Sequence, residues 1–513
     1  MGTTFFGKID TWLALWFVGY VCNTLAVSHT PCSSVFLYTC MWVALYLFLR
    51  CFPIERISKR YWGYACMALG LWQVAVGLGQ LFGLCSSGHY LYAVTGSFFN
   101  PALYGAFIAV MLAVMVAVYK EQNESILGIA IMGMIVMLFA SWSRAALLAF
   151  TVCLGILYRT WVRNHWRTVS ICAVIVIVVL YFLKRGSADS RMIMMLVSLN
   201  AWADNLWLGV GVGGYLHTLG EEQAAYFTCH PDSVFIPSVG IADFPFNEAL
   251  RIAVEQGAVG LLPFTIAIGL TARRLWIACS PLFYALIALL VFSMFSYPFT
   301  ISVFCIMLTV IMAYAANLEK RHLFCPIMVY PLVAGIIIGA SAYIQLLSRS
   351  EAEKDYFRFS HIRDKVFIHD YYELLPLMND NPQFLFNFGT LLRYCDRFND
   401  SNAILRKGTL LSADPMFYIL MGRNYEDMQE YGKADSLYGY AFRMVPNRIY
   451  PLYRRMKLYE NMGDTIRCKE MAAVVNYCVA KRSLFSIIDS LSKAFAWFAS
   501  FLSTVTTTLN QFK

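Results

Sequence analysis

Two arginines far apart in the chain are the residues best suited to chemistry. Arg191 closes the stretch Ser187-Ala188-Asp189-Ser190-Arg191, and Arg144 closes Ser141-Trp142-Ser143-Arg144. A guanidinium is a permanently charged planar fork that matches phosphate oxygens. Charge aimed at a developing anion is often the largest catalytic contribution, so such a pair suits a phosphate-like anion. Asn100, in Gly96-Ser97-Phe98-Phe99-Asn100-Pro101, adds an amide to the same anion-binding set. Asn247 and Glu248 end the stretch Asp243-Phe244-Pro245-Phe246-Asn247-Glu248. An acceptor hydroxyl can need a general base, and Glu248, His230 and Asp243 are the candidates. Plainer readings stand beside these. Arg144 can be a helix-end residue snorkelling to the interface, and Arg191 a solvated charge beside Lys184 and Arg185. Glu248 can simply be stabilised by a helix N-terminus. His217 and His89 read as surface residues. Glu255 falls inside an apolar run, where an ionisable group tends to be functional or paired; it can brace an arginine.

The elements that must position these groups are membrane spans. Of 513 residues, 59% are hydrophobic and 14% charged, and the mean hydropathy is +0.58. A soluble chain carries about 25% charged residues, and a spanning helix needs about twenty mainly apolar ones. Spans are expected at 11–28, 34–52, 62–85, 100–119, 125–142, 144–161, 168–184, 247–270, 275–295, 299–317 and 323–346. Seven precede a long polar loop at about 185–246, and four follow it. Arg50, Arg56, Lys59, Arg60, Lys120, Arg159, Arg163, Arg167, Arg273, Arg274, Lys320 and Arg321 then fall on one side. By the positive-inside rule that side is cytoplasmic. The N-terminus is expected inside with span one as an uncleaved anchor; the long loop, the Arg pair and the C-terminal part are expected outside.

The net charge of +9 is thus mostly a topology signal, and no clustered basic face points to nucleic acid. Most of the fifteen cysteines lie in spans as small apolar residues; outside, a Cys468–Cys478 disulfide is one option. The run Gly209-Val210-Gly211-Val212-Gly213-Gly214 lacks the Lys-Ser/Thr ending of a nucleotide loop and reads as a tight turn at the membrane surface. The outward loops show no Asp-x-Asp pair, and neither metal nor cofactor is expected.

Beyond about residue 348 the pattern turns to soluble helices. Pro382, Pro415 and Pro446 recur, each followed seventeen residues later by a turn residue: Asn399, Gly432 and Gly463. A helix–turn–helix period near 34 residues over 348–480 resembles tetratricopeptide repeats, which implies a module that docks protein or glycan. An irregular helical domain is the alternative. Residues 481–513 carry an amphipathic stripe that either lies in the membrane interface or caps the repeats.

The pieces Gly96–Tyr104, Ser141–Ala146, Arg191 with Asn205–Tyr215, and Asn247–Leu262 resemble the O-antigen ligase and polymerase superfamily, which includes bacterial O-oligosaccharyltransferases. The resemblance implies a bacterial inner-membrane glycosyltransferase that moves a glycan from undecaprenyl diphosphate to a lipid or protein acceptor on the periplasmic side. Many members carry His before the Asn that opens span eight; here that residue is Phe246. A chain polymerase shares the donor and differs in acceptor. A transporter or flippase would show inverted repeats and midplane charges, and a scaffold would leave the Arg-bearing loop unexplained. The expected fold is all-α: a polytopic bundle of about eleven spans, short helices in the outer loop, and an outward helical repeat domain.

Overall fold

The computed structural model describes residues 7–172, 185–241, 244, 246–319, 329–362 and 364–478, which form helices and loops with no strand among them. Before the long loop come α1 (Lys8–Ala26), α2 (Ser34–Arg50), α3 (Lys59–Leu81), α4 (Pro101–Gln122), α5 (Ser125–Ala140), α6 (Arg144–Leu157) and the short α7 (Arg159–Asn164). The loop is largely helical, holding α8 (Arg185–Asp204) and α9 (Tyr215–Cys229). After it run α10 (Glu248–Ile277), α11 (Leu282–Ser293), α12 (Ser302–Glu319) and α13 (Val329–Phe359). Helices therefore stand at every expected span but the seventh, most of which falls outside the described residues. Lys59–Leu81, Pro101–Gln122, Glu248–Ile277, Ser302–Glu319 and Leu332–Phe359 are long and apolar enough to cross a membrane, and four shorter helices are apolar too. The chain is an all-α, multi-pass membrane protein. One boundary moves: α10 continues to Ile277, so Arg273 and Arg274 lie within it and not in a connecting loop, with Arg274 in its last turn, where a cation suits the helix dipole.

α4 is the central post. It is apolar on every side and buried along most of its length, as a helix enclosed by others must be. Asn100 caps it by accepting the Ala102 N–H at 2.8 Å, Pro101 opens it, and Asn123 ends it in a left-handed conformation. α3, α5, α6 and α11 pack around it. A second layer joins α1 to α10 and α2 to α12 and α13.

At one end of this layer Asp10 and Arg50, each with 2% of the side chain exposed, pair at 2.8 Å. Tyr46 donates its hydroxyl to Asp10, and Arg50 also reaches Asn317 of α12. Arg50 is thus consumed in a buried pair and is not a solvated loop charge.

At the other end α10 breaks. Gly257 adopts φ 61°, ψ −163° inside the helix, which frees backbone groups that lipid cannot solvate. The glycine run repairs the break. Val210 and Gly211 N–H donate to the Val254 and Glu255 carbonyls at 2.9 and 3.0 Å, while Ala258 and Val259 N–H donate to Leu206 and Trp207 at 2.8 and 3.2 Å. Gly209, Gly211 and Gly213 all have positive φ. α1 holds the run from beneath: Asn23 donates to the Leu208 carbonyl and accepts from Val212 N–H at 3.2 Å, and Ser28 donates to the Val212 carbonyl at 2.7 Å. The tight turn read from sequence is a plug for a broken helix.

The C-terminal part is built of helical hairpins: α14 (Ile368–Met378), α15 (Pro382–Tyr394) with α16 (Phe398–Thr409), α17 (Met416–Asp427) with α18 (Tyr431–Met444), and α19 (Tyr450–Asn461). Asn399 and Gly432 lie just inside the second helices and are not the turns. The left-handed turn residues are Asp396, Gln429 and Gly463. Each is followed by the same hairpin bond, from Arg397, Glu430 and Asp464 N–H to the Leu392, Tyr425 and Tyr459 carbonyls. Small buried residues recur as well: Gly389, Ser401 and Gly408, then Gly422, Ala434 and Ala441. A Cβ on Gly389 would meet Leu405, and one on Gly422 would meet Tyr438. Cys468 and Cys478 lie on one continuous helix. Ten residues of helix separate them by about 15 Å, beyond disulfide reach. Residues 479–513, with the amphipathic stripe, lie outside the described residues.

Two contacts fasten the hairpins to the membrane part. Arg349 pairs with Asp380 at 2.6 Å, and Asp380 also accepts from Ser34 N–H and Oγ at the head of α2. Farther along, Met444 and Val445 share one core with Ile193, Met194 and Val197 of α8. Gln223 donates to the Met444 carbonyl and Asn447 to the Val239 carbonyl.

A Cβ at Gly257 would lie 2.2 Å from the Trp207 carbonyl oxygen, whereas one at Gly269 meets nothing within 4 Å. Gly257→Ala is expected to lower the thermal midpoint in detergent by the equivalent of at least about 1–2 kcal/mol, since it adds a clash to a left-handed penalty. Gly269→Ala should leave the midpoint unchanged or slightly raised. Equal midpoints for the two variants would refute the plug.

Candidate functional site

Arg144 is the first residue of α6, held there because Ser143 caps the helix, its Oγ accepting the Ala146 N–H at 3.3 Å. Trp142 takes a positive φ to turn the chain between α5 and α6. Arg191 projects from the second turn of α8 and is half-buried. Its guanidinium carbon sits 5.2 Å from the centroid of Phe246, a cation–π distance. Burial first, and the positive charge of Arg144 second, push the Arg191 pKa down from its ordinary value. The two guanidinium groups, distant in sequence, therefore lie within each other's field on one face of the bundle.

Aromatic rings line this place. Tyr297 stacks on Phe244 with centroids 4.4 Å apart and meets Phe246 edge-on at 5.7 Å. Its hydroxyl accepts a hydrogen bond from Asn100 Nδ2 at 3.0 Å. Asn100 and Arg191 thus come together around Tyr297 and Phe246, with Arg144 near enough for its charge to act on Arg191.

The remaining sequence candidates are placed differently. Asn247 caps α10, its Oδ1 accepting the Leu250 N–H at 3.1 Å. Glu248 is 1% exposed; one oxygen accepts the Phe299 N–H at 3.0 Å, and the other lies 2.8 Å from Arg251 Nε. That contact is an ion pair without hydrogen-bond alignment. Both oxygens are engaged by protein groups, a setting that suits a brace better than a proton acceptor. Glu255 accepts the Gly213 N–H at 3.2 Å and so ties the glycine run to α10. His230 is exposed and stacks on Tyr226 one turn back on its own helix. His217 pairs with Glu221, and His89 packs with Tyr90 and Tyr92. Asp243 lies outside the described residues. Among the described residues no three His, Cys, Asp or Glu side chains gather as a metal site.

Sequence reasoning missed Tyr297 and Arg251. Tyr297 sits in an uncharged connection between α11 and α12, where nothing marks it. Arg251 did carry a signal: it stands three residues after Glu248 and four before Glu255, on one helix face.

Two cavities flank the segment that follows Tyr297. One, of about 720 Å³, lies among α1, α2, α10, α12 and α13; Trp16, Tyr20, Arg251, Glu255, Phe299 and Thr300 are among its lining residues. The other, of about 500 Å³, is lined by Trp72, Phe98, Phe99, Phe107, Ile301 and Val303 among others. Both fall in the size range of ligand pockets, about 300–1,000 Å³.

Residues 127–265 match the family model described as O-antigen ligase. The matched stretch takes in Arg144, Arg191, the glycine run, Asn247, Glu255 and Gly257, while Asn100 and Tyr297 lie outside it. The match supports placing the chain in the O-antigen ligase superfamily. No curated protein matches the chain.

Arg251→Met would leave the Glu248 carboxylate buried without its partner, at a cost of about 3–5 kcal/mol. The double variant Glu248→Gln/Arg251→Met should recover most of that loss in thermal unfolding. A single variant as stable as the double one would show that the pair does not brace α10.

Proposed function

We propose that the chain is a membrane glycosyltransferase of the O-antigen ligase type, moving a glycan from undecaprenyl diphosphate to an acceptor on the periplasmic side. The observation that carries this reading is Arg191 held over Phe246 against the Tyr297–Asn100 pair, with Arg144 near enough for its charge to act on Arg191 and an apolar cavity nearby. Two like charges in one another's field, one of them half-buried, form a site whose natural complement is a multiply charged anion. A polyprenyl chain needs an apolar recess, and the cavity beginning at Phe98 and Phe99 adjoins Asn100.

In the reaction the acceptor oxygen bonds to the anomeric carbon as the bond from that carbon to the diphosphate oxygen breaks. The electron pair leaves with the diphosphate, and the two guanidinium groups take up the growing charge. No metal is required for that stabilisation. The acceptor proton passes to a base or to solvent. Glu248, Asp243 and His230 are the residues to test for that role, and Glu248 is the one whose setting speaks against it.

Lipid core, protein and growing glycan are the candidate acceptors. The outward hairpins favour ligation to a lipid core or to protein over polymerisation, because Met444 and Val445 pack on the helix that bears Arg191. A module so placed can present an acceptor directly at the site. We place the protein in the bacterial inner membrane, with its N-terminus cytoplasmic and its repeats periplasmic.

In cells lacking the native copy, Arg191→Ala and Arg144→Ala should each accumulate lipid-linked glycan and lose at least about 100-fold of product, the scale of a lost oxyanion donor. Membrane levels of the protein should stay normal. Lysine at either site should restore product only in part, since it lacks the fork. Full product from both alanine variants refutes the transferase reading. Glu248→Gln that folds normally but turns over slowly would return the base role to Glu248.

A further inference from the structure

Resting on the transferase reading above, we propose that Tyr297 is the positioning residue of the diphosphate site, setting Asn100 through its hydroxyl and Arg191 through its ring. Tyr297 belongs to the short connection between α11 and α12 and is 5% exposed. Its hydroxyl accepts from Asn100 Nδ2 at 3.0 Å, while Asn100 Oδ1 accepts the Ala102 N–H at 2.8 Å. The Asn100 amide is thereby fixed at both ends. Its oxygen is committed to the helix cap and one N–H to Tyr297, which aims the second N–H away from both.

The ring does separate work. It stacks on Phe244 and meets Phe246 edge-on, and Phe246 carries the Arg191 guanidinium at 5.2 Å. Tyr297 is also close enough for its oxygen to act on the charge of Arg191. One side chain therefore connects the head of α4, the segment entering α10 and the arginine of α8. Those three pieces come from distant parts of the sequence, and Phe99 against Phe244 adds a second contact between two of them. A tyrosine serving only as filler would need the ring and not the hydroxyl.

The test uses the full-length protein purified in nanodiscs, with a lipid-diphosphate glycan donor and a core-lipid or peptide acceptor. Tyr297→Phe keeps the ring and removes the hydroxyl. It should raise the donor KM about tenfold, the scale of one lost hydrogen bond, with kcat within about twofold and the thermal midpoint unchanged. Asn100→Ala should raise the donor KM similarly, and the double variant should be no worse than Asn100→Ala alone, because the hydroxyl acts through Asn100. Wild-type donor KM in Tyr297→Phe, or effects that multiply in the double variant, would overturn the proposal. Failure here is distinguishable from failure of the transferase reading. Inactive arginine variants beside a normal Tyr297→Phe remove only the tyrosine's role, whereas fully active arginine variants remove the reading itself.

Discussion

A helix interrupted inside a membrane must find new partners for its backbone within the protein, because lipid offers none. The interruption at Gly257 is the constraint on which the rest of this architecture hangs. Four backbone groups of α10 are released there, and the segment Leu206–Gly211 satisfies all four. Only a chain without side chains can come so close: a Cβ at Gly209 would lie 2.5 Å from the backbone of Val254 and Glu255. The repaired joint fixes the depth of the glycine run, and with it α8 on one side and α9 on the other. Arg191 is thus held by a helix whose end is anchored in the break.

The electrostatics follow from that placement. Bringing Arg191 into the field of Arg144 while partly removing it from water is unfavourable for its charged form. The aromatic face of Phe246 offsets part of this. A guanidinium does not escape the cost by losing its proton, so the arrangement favours arrival of an anion. The opposite end of the bundle shows the opposite solution, with Asp10 and Arg50 buried against each other.

Much of this was legible beforehand. Apolar runs marked the helices, while the caps at Asn100, Ser143 and Asn247 came from the structure. The two arginines were placed together by sidedness alone. Tyr297 was invisible, since an uncharged connection gives no hint of what it touches. The break at Gly257 was equally hidden, because a glycine in an apolar helix is commonplace and its φ is not written in the sequence. In the hairpins prolines set the period, but the turns fell three residues earlier than expected at Asp396 and Gln429, residues less suggestive of left-handed backbone than glycine. The long loop was expected to hold short helices, and it holds α8 and α9, of which α8 runs for 20 residues.

The bonds from α1 to the glycine run carry a consequence for biogenesis. Asn23 and Ser28 find their partners at Leu208 and Val212, across separations of 184 to 189 residues. While the ribosome is still making the intervening helices, the outer tip of the first helix must remain hydrated at the membrane surface. Arg50 can reach Asp10 almost at once, yet Asn317 arrives only near the end of membrane insertion. The bonds that tie the first two helices to the glycine run and to Asn317 therefore form only after those later segments have been made.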